Sequence, residues 1–370
     1  MKKTALILTT LVVIAIVIAS HLWRSNPSST NGKPVVKIGA MFALTGNMQD
    51  VGNSGFKAFT KSIEDANRNP DNKLYYELLV EDDQMNAHRA HTITNKFVSV
   101  DDVNVLIGYF SVPARVIAPL AAKHKIINFN TSFATDIFKS KYNFQNCMTI
   151  RGTSEGQVRF LKFKGHDSVT LLFANFAAAD DILEELLPLL SQNNIKVEIE
   201  RFVPGERDFK MIINKLKASP TGAVILYAFP PELDIIAKEL KQQQVDKTIS
   251  VIDLIPMVAN LALFEGVYNV GTNQISEALR KHVGLENQTT LYATYLYDTG
   301  KIIVEAFEKT YDGKEIPSAD TVADFIHGYG RWKGEVGEYT VDSRGQFATD
   351  SKKTIEITVV KDGKLIKVEE

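Results

Sequence analysis

Val35-Val36-Lys37-Ile38-Gly39-Ala40-Met41 runs without a break into Phe42-Ala43-Leu44-Thr45-Gly46, and a helix-like segment follows over 52–67. A β-branched run that opens through a small-residue loop into a helix is the first unit of a doubly wound α/β sheet. Its loop leaves backbone N–H groups pointing into a crevice above the sheet, where such folds hold ligands.

The rhythm continues outward from that stretch. Further strands are predicted at 75–81, 103–108, 126–129 and 148–151, with helix-length segments between them. Asn86 is placed to cap a helix reaching Val98, with Ala90, Ile93, Thr94 and Phe97 on one face. After Gly165 the pattern restarts, with strands at 169–173, 197–202, 223–228 and 249–252. Phe209, Ile212, Ile213 and Leu216 mark one sheet-covering helix, and Leu233, Ile236, Ala237 and Leu240 another, with Pro231 and Glu232 at the latter's start. Pro188 should kink or shorten the helix predicted over 180–192. Helices follow at 275–282, 290–311 and 321–327, then antiparallel strands at 338–341, 355–361 and 364–368. Asp362-Gly363 is a type I′ hairpin signal.

With 370 residues, 45% of them hydrophobic and 23% charged, the chain is long enough for two cores. A formal net charge of -2 offers no basic field, so nucleic acid is not expected as a partner. Met1-Lys2-Lys3 precedes an uncharged stretch over 4–20, which reads as a signal peptide or, with Trp23 and Arg24 at its end, as a membrane anchor over 4–23. Either implies export, to the periplasm or the cell surface. Residues 25–34 are a Ser/Asn/Pro/Gly-rich linker, and the lone Cys147 has no partner for an intrachain disulfide.

Val36-Lys37-Ile38-Gly39-Ala40, Leu44-Thr45-Gly46, Val51-Gly52, Glu81-Asp82-Asp83-Gln84 and Leu106-Ile107-Gly108 together resemble the N-terminal lobe of the branched-chain amino-acid-binding proteins, type I periplasmic solute receptors of ABC importers. The resemblance continues through Gly205-Glu206-Arg207-Asp208-Phe209, Pro231-Glu232, Glu265-Gly266-Val267-Tyr268, Tyr297-Asp298, Val341-Asp342-Ser343-Arg344-Gly345 and Val360-Lys361-Asp362-Gly363-Lys364. It implies two doubly wound lobes joined by three crossovers, near Gly152, Gly271 and Gly334, that close on a ligand by hinge motion. After residues 1–24, assigned to the signal or anchor, and the linker, the lobes are then expected at 35–152 plus 272–334 and at 153–271 plus 335–370. The implied partners are a small-molecule ligand, the permease and ATPase of an importer and, if the N-terminal segment is uncleaved, the membrane. The alternative is a sensory module of the same fold that passes its closed state to a signalling protein.

The family's ligand contacts transfer unevenly. Its hydroxyl after the third strand falls on Val112, beside Ser111, and a second falls on Ala134, flanked by Ser132 and Thr135. The carboxylate that meets the ligand ammonium falls on Pro256, with Asp253 the nearest acid, and two aromatic walls fall on Val51 and Ala178. Phe229 and Tyr297 remain aromatic. The candidate ligand contacts are therefore Phe42, Phe110, Ser111, Val112, Ser132, Thr135, Phe229, Asp253 and Tyr297. A zwitterion desolvated there lacks its paired groups, so a standard leucine-like amino acid is not the expected cargo.

Sharper chemistry is weighed against plainer roles. Gly152-Thr153-Ser154-Glu155-Gly156 matches a nucleophile elbow, which would make a serine hydrolase, with His282 or His327 as the histidine. The favoured reading makes Ser154 a helix cap, with Gln157 completing a capping box. His88 and His91 read as solvated helix-face residues before metal ligands, Asp82-Asp83 as a turn device before an acid–base pair, and Tyr292, Tyr295 and Trp332 as packing. No catalytic residue, metal or cofactor is assigned.

Overall fold

The structure, a computed structural model, describes residues 32–272, 275–286 and 290–370. The signal or anchor reading and residues 25–31 of the linker lie outside those residues. Among the described residues, no helix is long and apolar enough to cross a membrane.

Two sheets organise the chain. The strands are β1 (Val35–Phe42), β2 (Tyr75–Asp82), β3 (Val105–Tyr109), β4 (Ile127–Thr131), β5 (Asn143–Asn146), β6 (Ser168–Ala174), β7 (Lys196–Phe202), β8 (Ala223–Tyr227), β9 (Thr248–Ile252), β10 (Tyr268–Thr272), β11 (Arg331–Lys333), β12 (Glu338–Val341), β13 (Gln346–Thr349), β14 (Ile355–Lys361) and β15 (Lys364–Lys367). The first sheet has the order β11-β12-β13-β5-β4-β3-β1-β2, and the second β15-β14-β10-β9-β8-β6-β7. Within each, the central strands pair in parallel and are buried on both faces, which is why they read as unbroken apolar runs. The helices are α1 (Gln49–Arg68), α2 (Ala87–Lys96), α3 (Ser111–His124), α4 (Ile150–Phe163), α5 (Ala177–Gln192), α6 (Lys210–Ala218), α7 (Glu232–Gln242), α8 (Glu277–His282), α9 (Ala293–Thr310), α10 (Ala319–Tyr329) and the single turn α11 (Ser351–Thr354).

Local rules explain many boundaries. The Asn86 side chain accepts the His88 and Arg89 amides at the start of α2. Asp362 and Gly363 both have positive φ, 52° and 68°, and turn β14 into β15 as a two-residue hairpin. The helix expected from residue 180 begins at Ala177 and continues past Pro188 to Gln192.

Two expectations fail, each for a physical reason. The fifth strand is Asn143-Phe144-Gln145-Asn146, not 148–151. Three of its four side chains are amides, yet all are buried, because Asn143 donates to the Ala118 and Ile137 carbonyls, Gln145 to Ala134, and Asn146 to Tyr295. Strands β10, β11 and β13 escaped the pattern. The third crossing, finally, lies past Thr349 and not near Gly334, since β12 and β13 pair within the first sheet and only β14 and β15 belong to the second. Asp298 explains why the chain folds back at Gly334: its buried carboxylate accepts the Glu335 and Val336 amides at 2.8 and 3.0 Å.

Candidate functional site

The carboxyl ends of β3 and β4 in one lobe face those of β6, β7 and β8 in the other across a cavity of about 290 Å³. Phe110, Ser111 and Val112 enter from the start of α3, and Thr131, Ser132 and Phe133 from the end of β4. From the other lobe come Phe176, Ala177 and Ala178 at the start of α5, Pro204 after β7, and Tyr227 and Phe229 at the end of β8. Met85, Arg115 and Tyr292 complete the wall.

Aromatic rings dominate this lining. Phe176, Tyr227 and Phe229 form a cluster with centroids 5.4 to 6.2 Å apart. Phe133 meets Tyr292 edge-on at 6.0 Å. Phe110 stacks on Tyr109 at 4.1 Å, and its backbone has φ 73° and ψ 162°, a conformation that costs a non-glycine residue of order 1–3 kcal/mol. Met85 and Tyr292 also have positive φ. Three of the ten non-glycine residues with positive φ among the described residues thus line the cavity.

Two helices begin at the cavity without a capping side chain. Neither Phe110, before α3, nor Phe176, before α5, caps its helix, so the amides of Ser111, Val112, Ala177 and Ala178 have no acceptor among the described residues. Each helix end carries a partial positive charge, and the two converge from opposite lobes. Beside them, Thr131 Oγ1 is buried with no hydrogen-bond partner among the described residues. None of the described lining residues is acidic. The arrangement suits an anion with an apolar body.

Of the residues singled out from sequence, Phe110, Ser111, Val112, Ser132 and Phe229 line this cavity. Four others lie elsewhere. Phe42 is fully buried in the first lobe against Phe56, Phe59 and Tyr109. Thr135 turns toward Asp181, its Oγ1 3.3 Å from the carboxylate. Tyr297 donates to Asp65 at 3.1 Å and packs against the His282 ring, because its face of α9 meets α8 and α1, not the cleft. Asp253 lies behind the wall, accepting the Thr272 amide at 2.8 Å and facing the Tyr292 phenol. Burial pushes its carboxyl up to about 7, against the hydrogen bonds from Thr272.

Phe133, Phe176, Tyr227, Tyr292, Thr131, Met85 and Arg115 were missed. The strand-end rule that selected Phe110 would have found Phe176 and Tyr227 as well; Tyr292 and Met85 carry no comparable local signal. A second, more polar cavity of about 690 Å³ lies along the same cleft, where Asn47, Val51 and Lys57 of the first lobe face Pro230, Pro256 and Val258 of the second.

The motifs set aside earlier also find places. Ser154 is not the cap; Thr149 is, accepting the Gly152 amide, so Ser154 lies buried inside α4 with its hydroxyl unpartnered. Its context is mid-helix, without the strand-to-helix turn an elbow requires. His282 bonds Asp65 at 2.6 Å, and His327 the Lys141 carbonyl at 3.1 Å. His88 and His91 are exposed on α2. Asp82 ties the loop after β1 to its own turn: burial raises its carboxyl, but bonds from Thr45 Oγ1 and the Gln84, Leu44 and Thr45 amides hold it below the usual range.

A family model described as periplasmic binding protein matches residues 35–363. No curated protein matches the chain significantly. Solved structures that resemble it include the branched-chain amino-acid transporter substrate-binding protein LivJ of Streptococcus pneumoniae in complex with isoleucine, at 16% identity and a TM-score of 0.78, with 91% of this chain and 100% of that one covered. A leucine-binding protein of Thermotoga maritima gives 17% and 0.77 over 90% and 98%. A solute-binding protein of an ABC transporter from Rhodopseudomonas palustris, in complex with p-hydroxybenzoic acid, gives 18% and 0.78 over 91% and 96%.

Proposed function

The chain belongs to the periplasmic binding protein family, and from that premise we propose that it is an extracytoplasmic receptor that closes its lobes on a small aromatic carboxylate. It delivers that solute to the permease and ATPase of an ABC importer and performs no chemistry on it. What carries the reading is one combination: two uncapped helix ends facing a wall that, among the described residues, has six aromatic side chains and no acid.

A carboxylate between α3 and α5 accepts amides that otherwise lack partners, and each helix end contributes about 0.3–1 kcal/mol, up to ~2 when partly buried. An aromatic ring fills the apolar remainder, in a volume of about 290 Å³ that lies at the small end of ligand pockets. A free amino acid would bring an ammonium with it. With no carboxylate among the described wall residues and Asp253 lying behind that wall with its carboxyl raised to about 7, that ammonium would be desolvated without a facing charge, at a cost of several kcal/mol. Leucine-like amino acids are therefore disfavoured relative to aromatic acids by roughly 100-fold or more. The solved neighbours named above carry both kinds of ligand, and the wall of this cleft favours the second.

Calorimetric titration with 4-hydroxybenzoate and with isoleucine tests the assignment. Saturable binding of the first with none of the second is expected; tight isoleucine binding would overturn it.

A further inference from the structure

One helical turn beyond the two amide ends, the lobes meet a second time. Ser111 and Arg115 share a face of α3, as Ala177 and Asp181 share a face of α5, each pair at i, i+4 spacing. Arg115 Nη2 lies 2.7 Å from Asp181 Oδ2, and Thr135 Oγ1 lies 3.3 Å from Asp181 Oδ1, so two first-lobe side chains converge on one second-lobe carboxylate. That carboxylate is 12% exposed. Arg115 is held from its own side as well, its Nε 2.9 Å from Asp136 Oδ1, which fixes the direction in which it reaches.

We propose that Arg115, Thr135 and Asp181 form a latch across the cleft that sets how closed the lobes stand and, through that, how tightly the cavity holds its solute. The physics is a balance. Two positive helix ends brought face to face repel each other, and so does each with the Arg115 guanidinium. A bound anion relieves the first repulsion, while Asp181 relieves the second and joins the same two helices a turn away. Ligand and latch therefore tighten one interface and reinforce each other, because each contact is made only when the lobes are together. The latch also occupies the one charged side chain among the described wall residues, so Arg115 stays committed to Asp181 and Asp136 and the solute's carboxylate is left to the amides. The proposal rests on the closing-receptor reading and is independent of the aromatic identity of the cargo.

The test uses the whole protein with dyes at Val100→Cys and Met211→Cys, each 75% exposed in the wild type and one in each lobe, since Cys147 is buried at 1% and does not compete for label. Interlobe energy transfer is read without ligand and with 4-hydroxybenzoate in wild type, Arg115→Gln, Asp181→Asn, the double variant and Arg115→Lys. Each neutral variant is expected to shift ligand-free protein toward the open distance and to weaken 4-hydroxybenzoate binding about five- to tenfold, as for a partly buried charge-assisted bond. The double variant should be no worse than either single, and Arg115→Lys should recover part of the effect. Unchanged distances in all variants, or losses that simply add in the double, overturn the latch. If 4-hydroxybenzoate fails to bind even wild type, that result counts against the aromatic cargo, while the ligand-free distances still decide the latch.

Discussion

Replacing Asp253 with Asn should flatten the pH dependence of stability. In the folded chain this carboxyl is fully enclosed at the end of β9, and burial raises it to about 7 against an ordinary 3.8. Above about pH 4 the unfolded chain releases this proton, whereas the folded chain keeps it until about pH 7. The unfolded state then binds fewer protons, and stability falls as pH rises through that window. The loss between pH 5 and pH 8 is about 2.5 kcal/mol for a shift of that size, reaching about 4 kcal/mol over the full window. Asparagine keeps an acceptor for the Thr272 amide, which reaches Asp253 Oδ1 at 2.8 Å, and cannot ionise. Urea unfolding of wild type and Asp253→Asn at pH 5, 6, 7 and 8 measures the difference directly, because other carboxyls such as Asp83, raised to about 6 chiefly by burial, cancel between the two proteins. The variant should gain about 2.5 kcal/mol on wild type between pH 5 and pH 8. If the two curves run parallel within about 0.5 kcal/mol, Asp253 is not a neutral buried acid, and the cleft has a charge for an ammonium after all.

Further outcomes follow from the same geometry. Ala178→Asp places an acid in the first turn of α5, where it should leave stability equal or about 0.3–1 kcal/mol higher, yet weaken 4-hydroxybenzoate binding at least tenfold by competing for the amides; calorimetry and thermal melts separate the two. Ser154→Ala should hold or raise the melting temperature, since the Ser154 hydroxyl is buried without a partner. Gly156→Ala in the same helix should lower stability by about 1–3 kcal/mol, because the added Cβ would stand 2.6 Å from Ile355 Cγ2. Tyr297→Phe should cost about 0.5–1.5 kcal/mol in unfolding experiments for the lost bond to Asp65 and leave ligand affinity unchanged.

How far the sequence could be read depended on what each feature needs from the rest of the chain. Parallel strands announce themselves as apolar runs where both faces are buried, or as mixed apolar and polar runs at the edges, as in β2 and β7, so eight of the first nine were legible. The exception, Asn143–Asn146, is buried only because distant carbonyls satisfy its amides. The same limit governs the site. Phe110 and Phe229 follow strand ends, and that position faces the cleft by topology alone. Tyr297 sits on a helix whose orientation depends on packing against α1 and α8, so its aromatic character could not say which way it faced. Thr149 and Ser154 are both hydroxyl residues near one helix start, and only the register of β5 decides which of them caps it. Arg115 gave no sign at all, because its significance lies in Asp181, 66 positions away and in the other lobe.

A structure of the protein grown with 4-hydroxybenzoate examines the central claim most directly. The solute's carboxylate should lie about 3 Å from the amides of α3 and α5, among Ser111, Val112, Ala177 and Ala178, with the ring between Phe110 and Phe229. A carboxylate seated in the outer cavity against Lys57, or an occupant bound through an ammonium at Asp253, would contradict it.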